Sequence, residues 1–365
     1  MKKIIFTTFS FCLLLSQTIF AQTYNSPESV EFDYANNRYL IANKGANQIL
    51  ARAADGTLSV FANAPGSPHG IEIVGDTLYC CTGNNLRGIN LNTGVQIFVQ
   101  HIGSGAFLNG ITHDPAGNLY ITGFTSKKVY RFNTATRQSN IFVDDTGLAP
   151  NGIIYDSYDG INPRLVMVSW TSSPNIQSVS LIDSSLNLLT NPPFGNIDGI
   201  AKGKNGYFYI SCWSNNSIQR YDSTFTNPAT AMVTSGLSSP ADIFYNHLSD
   251  TLAVPFGSSG SSNVNFYYFG SPTVQKTIVG NLDINLYPNP TNGIININGL
   301  KNESKHISID LFEIGSGKLV FSQNITNSDE NMSINLKDHQ ISSGLYFIEI
   351  SSEDGIISRK KLTIN

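Results

Sequence analysis

The chain has 365 residues, 41% of them hydrophobic and only 13% charged, with a formal net charge of −4. That length holds one large β-domain and a small second one. The slight acidity leaves no basic field to attract nucleic acid or an anionic membrane, so both are set aside as partners.

The chain opens MKKIIFTTFSFCLLLSQTIFAQ, two lysines before a short apolar run and a small residue, Ala21. This predicts a secretory signal peptide over residues 1–21, with an uncleaved anchor as the alternative. Ile4 to Leu15 is short for a bilayer span, and no later segment approaches about 20 apolar residues, so no transmembrane segment is expected in the mature chain. Cys12 would leave with the leader. The remaining Cys80, Cys81 and Cys212 are an odd set without a CxxC spacing, which argues against a disulfide framework or a zinc site. Cys80 and Cys81 are neighbours on a predicted strand and should face opposite ways.

From residue 22 to about 280 one unit recurs six times. Its opening turns are Pro27-Glu28-Ser29-Val30, Pro68-His69-Gly70-Ile71, Leu108-Asn109-Gly110-Ile111, Pro150-Asn151-Gly152-Ile153, Ile197-Asp198-Gly199-Ile200 and Pro240-Ala241-Asp242-Ile243. Successive second positions lie 41, 40, 42, 47 and 43 residues apart, the period of a four-stranded propeller blade. Each unit reads as four short strands between Gly, Asn and Asp turns, as in GITHDP, LYITGF, KKVYRFN and SNIFVDD. The fold class predicted is therefore all-β, a six-bladed β-propeller. An open solenoid or sandwich would expose long sheet edges that a closed ring avoids. Blade six has its own four strands, the last being VQKTIVG, so closure should be blade against blade, with at most a modest exchange from Gln22 to Ser26.

Beyond residue 281 come seven shorter alternating segments, from INLY through IININGL, HISIDLFEI, KLVFSQN, MSINL and GLYFIEI to RKKLTIN. They predict a small C-terminal β-sandwich. Tyr287-Pro288-Asn289-Pro290, Gly293, Gly344-Leu345-Tyr346 and Lys360-Lys361-Leu362 mark this segment. On those residues it resembles the C-terminal sorting domain used by type IX secretion in Bacteroidetes. The resemblance implies the type IX machinery as a partner, a secreted or outer-surface location, and removal of the domain or its exchange for a surface anchor. An adhesive sandwich retained on the mature protein is the alternative.

The innermost strands of a propeller bring the six second positions to one axis: Glu28, His69, Asn109, Asn151, Asp198 and Ala241. Gly follows in four of the six and lets backbone approach closely. Two carboxylates and two amide oxygens form a hard-oxygen donor set, which suits Ca²⁺ or another hard divalent ion better than zinc. A water-filled polar channel is the bland alternative, but two unpaired carboxylates on one axis repel, and a cation relieves that repulsion.

These turns also resemble the senescence-marker-protein/gluconolactonase family of the calcium-dependent phosphotriesterase superfamily, over Glu28 to about Gly280. By that resemblance Glu28, Asn109, Asn151 and Asp198 are the metal positions, and Asp198 is also the general base or nucleophile. Glu28-Ser29-Val30 lacks the family's proline, and Ala241 replaces a residue that some relatives use. His69, in SPHGIE, resembles the Pro-His-Gly turn of paraoxonase-like lactonases and is a candidate proton shuttle. The expected function is a secreted, metal-dependent hydrolase of lactones or related esters. The alternative is a non-catalytic surface propeller of the NHL type that binds a glycan or protein. His113 is expected to cap a turn.

Overall fold

A computed structural model describes residues 22–157, 162–203, 206–269, 284–300, 306–313, 319–326, 331–339, 341–352 and 355–365. The predicted leader and the fourth strand of blade six lie outside the described residues. Among the described residues the repeat region forms six antiparallel sheets, five of four strands and one, blade six, of three. Blade one is typical: Pro27–Asp33, Arg38–Asn43, Gln48–Arg52 and Leu58–Asn63 follow one another outward in a meander. The innermost strands of blades two to five are Pro68–Val74, Leu108–His113, Pro150–Asp156 and Ile197–Lys202.

Strand alternation explains why six sheets make a ring. Each blade sends alternate side chains to its two neighbours, so each seam needs its own apolar cluster. Cys80 joins Leu40, Ile49 and Ile71 between blades one and two, while Cys81 joins Leu86, Leu108 and Leu119 between blades two and three. The remaining clusters follow in turn: Tyr120 with Ile153, Val168 with Ile200, Tyr209 with Tyr245, and Ile41 with Ala253 and Val264. That last cluster joins blade one to blade six and closes the ring. Cys80, Cys81 and Cys212 are buried free thiols, and burial pushes the Cys80 thiol up to about 12. They are inert packing residues.

Closure is blade against blade, as predicted. The Asp242 amide donates to the Glu28 carbonyl at 2.9 Å, and the Ser26 amide to the Ser261 carbonyl at 2.7 Å. Residues 22–26 add no strand to blade six. One element differs from expectation: the innermost strand of blade six is only Phe244–Asn246. Ahead of it only a bridge from Pro240 to Phe256 and the Ala241 amide bond to Pro255 pair with the second strand, while the Asp242 amide crosses the seam to Glu28.

Seven strands form the C-terminal region among the described residues, in a three-stranded and a four-stranded sheet. Both sheets contribute to one apolar cluster, with Ile295, Ile297 and Ile334 from the first and Ile309, Leu311, Ile348 and Leu362 from the second. Two sheets sharing one core is the arrangement their alternating sequences predict. Phe347 turns away from that core and packs with Phe32 and Tyr34 of blade one, its ring centroid 5.7 Å from that of Tyr34.

Candidate functional site

The axis is assembled from the repeat's second and third positions. At the third, Gly70, Gly110 and Gly152 lie so near the next blade that a Cβ would stand 2.1, 2.3 and 2.7 Å from the carbonyl oxygens of Asn109, Asn151 and Asp198. Side chains are thereby excluded at this level, and the second-position carbonyls are drawn to the preceding blade. Thr122 and Ser211 fix two of them, donating their hydroxyls to the Asn151 and Ala241 carbonyls, each at 2.7 Å. Blades one and six instead carry Ser29 and Asp242, and the Ser29 hydroxyl donates to Asp242 Oδ2 at 2.8 Å.

All five polar second-position residues are buried: Glu28, His69, Asn109, Asn151 and Asp198. Asp198 is 3% exposed, and its Oδ1 has no hydrogen-bond partner among the described residues. Burial, then Glu28 and Asp242, holds its carboxyl well above the ordinary carboxylate range, while Lys44 and the Trp213 indole pull it back. Trp213 Nε1, also buried, completes no hydrogen bond of normal geometry. Among the described residues the Asn151 side chain makes only a long bond, from Nδ2 to the Ile197 carbonyl at 3.5 Å. His69 Nδ1 lies 2.8 Å from the Ser67 carbonyl and must carry the proton there, which leaves Nε2 as the basic nitrogen. Burial lowers the His69 pKa, so the ring is neutral at pH 7.

Glu28 is different because it already has a cation. Lys44 Nζ donates to Glu28 Oε2 at 2.5 Å and to the Gly257 carbonyl at 3.0 Å. Lys44 follows Arg38–Asn43, and the same slot after the second strand holds Gly83, Phe124, Trp170 and Trp213 in blades two to five; in blade six it falls to Gly257, after the bridge between Pro240 and Phe256. The amides of Phe124, Trp170 and Trp213 each donate to the carbonyl just before their blade's first strand, at 2.9, 2.9 and 3.0 Å, and the Gly257 amide donates to the Ser239 carbonyl, just before the blade-six bridge, at 3.0 Å. This second ring forms a rim over the first. Its aromatic side, with Trp170 and Trp213 edge to face at 5.0 Å, lies on blades three to five, and its cation on blade one. Sequence reasoning missed this rim. Its signal was the residue one place beyond the second strand in blades one to five.

A second acidic group lies deeper in the ring. Burial raises Glu31 and Glu72 well above the ordinary range, and Asp242 compounds the effect on both. Asp242 itself is pushed up to about 7 by burial, with Glu28 adding to the shift. His113, expected to cap its turn, instead places Nδ1 2.5 Å from Glu72 Oε1 of the neighbouring blade. The two residues sit on neighbouring first strands, Pro68–Val74 and Leu108–His113, at different positions of the repeat, so the repeat alignment did not pair them.

The donor set tests the implied cation. Among the described residues no three His, Cys, Asp or Glu side chains are arranged as a metal-holding cluster. The set is a mixed one: the amide oxygens of Asn109 and Asn151, the free Oδ1 of Asp198 and the remaining oxygen of Glu28. All are hard donors, and one is a buried carboxylate oxygen with no partner, so the residues fit a hard divalent ion.

No curated protein sequence matches the chain. Residues 285–365 match the model of the secretion system C-terminal sorting domain. Among solved structures, a gluconolactonase from Xanthomonas campestris superposes with a TM-score of 0.56 at 15% identity, over 65% of this chain and 85% of that one. Regucalcin, a calcium-binding protein of Agrobacterium tumefaciens, gives 0.53 at 18% identity over 64% and 82%. A protein of unknown function from Bacteroides thetaiotaomicron gives 0.54 at 13% identity over 67% and 70%. Such identities establish the fold and leave function to the site. The chain thus combines a β-propeller of the fold seen in gluconolactonases and regucalcin with a secretion system C-terminal sorting domain at residues 285–365.

Proposed function

We propose that the protein is a secreted or surface-held hydrolase of lactones or related esters, working with a divalent ion, of the Ca²⁺ type, at the channel mouth. The observation that carries this reading is the buried, unpartnered Oδ1 of Asp198, next around the ring to the buried Asn151. We assign Glu28, Asn109, Asn151 and Asp198 as the residues that would hold the ion. When bound, the ion supplies Lewis-acid polarisation of the substrate carbonyl. Asp198, made unusually basic by burial and by Glu28, takes a proton from the attacking water. His69 is neutral with Nε2 free, so it serves as a proton relay. Phe124, Trp170 and Trp213 wall one side of the mouth and shield the reacting ester from bulk water. The C-terminal domain at 285–365 supplies the export route through the type IX machinery, and residues 1–21 its leader.

The test is calcium titration of the full-length protein together with an aryl-ester and lactone screen. Asp198→Asn should weaken calcium binding at least tenfold and reduce turnover by about two orders of magnitude, the scale of a lost general base. Absence of a bound divalent ion, with turnover unchanged in Asp198→Asn, would sink the proposal. A second reading has one observation in its favour: the aromatic rim would also stack on a glycan ring, as in an NHL-like binding propeller. Stoichiometric calcium without turnover across the screen would move the assignment to that reading.

A further inference from the structure

We infer that Lys44 is a resident monovalent cation of the polar ring, positioned to compete with a divalent ion for Glu28 and so keep ion binding at this site weak and reversible. The inference rests on the divalent-ion reading above. It starts from the ring's asymmetry. Blade six has no polar group at its second position, Ala241, and no side chain at its rim position, Gly257. Both small residues border Glu28: a Cβ on Gly257 would stand 2.8 Å from Glu28 Oε2 and 2.9 Å from the Ala241 Cβ. The Lys44 ammonium reaches this place from blade one. It is fixed there by two contacts, 2.5 Å to Glu28 Oε2 and 3.0 Å to the Gly257 carbonyl. A lysine at a rim position would ordinarily extend its flexible stem to water. This one turns inward, with its side chain 24% exposed, onto a carboxylate only 6% exposed. Its field reaches the rest of the ring, acting on both Asp198 and His69.

The electrostatic consequence follows from counting charge. With Asp198 ionised, as ion binding requires, Glu28 and Asp198 together offer two negative charges, and Lys44 cancels one. A divalent ion entering the ring must share Glu28 with the ammonium or displace it, and it meets a like charge in a poorly screened place. Removing the ammonium charge removes that competitor. Lys44 therefore acts as a positioning residue on Glu28, and it fills the gap that Ala241 and Gly257 leave in the ring.

Isothermal titration of calcium into full-length wild type, Lys44→Met and Lys44→Gln tests this. Lys44→Gln keeps a donor for Glu28 and Gly257 while removing the charge, so it remains informative if Lys44→Met folds poorly. Both variants should bind calcium at least tenfold more tightly than wild type. In calcium-free buffer Lys44→Met should melt below wild type, because Glu28 is left buried without a partner, and saturating calcium should raise its melting temperature by more than it raises that of wild type. Equal affinity in all three proteins, with binding present, overturns the role of Lys44 and leaves the ion site standing. Binding in none of them, or binding that Asp198→Asn leaves unchanged, overturns the ion site and the inference with it.

Discussion

Replacing Gly70 with alanine is expected to cost at least about 4 kcal/mol, enough to unfold the propeller under ordinary conditions. A Cβ at this position would lie 2.1 Å from the Asn109 carbonyl oxygen and 3.0 Å from the Ile111 Cγ2. The obstacle is main chain on the innermost strand of the next blade, held on both sides by other blades, so it cannot shift without opening the ring. Gly70 has no left-handed φ, and the penalty is therefore steric rather than conformational. Gly75 gives the control: its φ is +60°, and nothing lies within 4 Å of a Cβ there. Gly75→Ala should cost only about 1 kcal/mol, the strain of a left-handed alanine. Guanidinium denaturation of the two variants, followed by tryptophan fluorescence, separates them. A Gly70→Ala protein within about 0.5 kcal/mol of wild type would show that the blades pack less tightly at the axis than described.

Stability should rise, not fall, as pH is lowered from 8 to 5. Glu31 and Glu72 are raised well above the ordinary carboxylate range, chiefly by burial, and Asp242 is raised to about 7. An unfolded aspartate loses its proton near pH 4. Between about pH 4 and 7 the folded chain therefore binds more protons than the unfolded one, and stability declines as pH rises through this window. For Asp242 the destabilisation is absent below about pH 4 and complete about one unit above its folded value. For Asp242 alone, displacement from 3.8 to about 7 corresponds to about 4 kcal/mol. Asp242 is partly exposed in the channel, so water screens part of this, and about 2 kcal/mol is expected. Asp242→Asn keeps an acceptor for the Ser29 hydroxyl, gains that amount at pH 8 and flattens the pH dependence. Denaturation midpoints at pH 5, 6, 7 and 8 measure both effects. A wild type that gains stability steadily from pH 5 to 8, with no benefit from Asp242→Asn, would refute the assignment.

The sequence by itself determined what depends on period and residue type. A recurrence of 40 to 47 residues, strand formers between turn residues, and alternation of faces fixed the blades, the opposite destinations of Cys80 and Cys81, and the seven C-terminal strands. The second-position residues were legible for the same reason, since equivalent places in equivalent repeats must meet at one axis. What only the tertiary structure decided are contacts between residues that share no repeat position. Lys44 meets Glu28 because a long side chain can fold inward where blade six is bare. His113 meets Glu72 because the innermost strands of neighbouring blades pack against each other. Asp242 bonds the Glu28 carbonyl because the last blade has to meet the first. Periodicity sets the direction of a side chain relative to its own strand. Its partner across a seam, and hence its charge state, depends on ring closure and on the water that closure excludes.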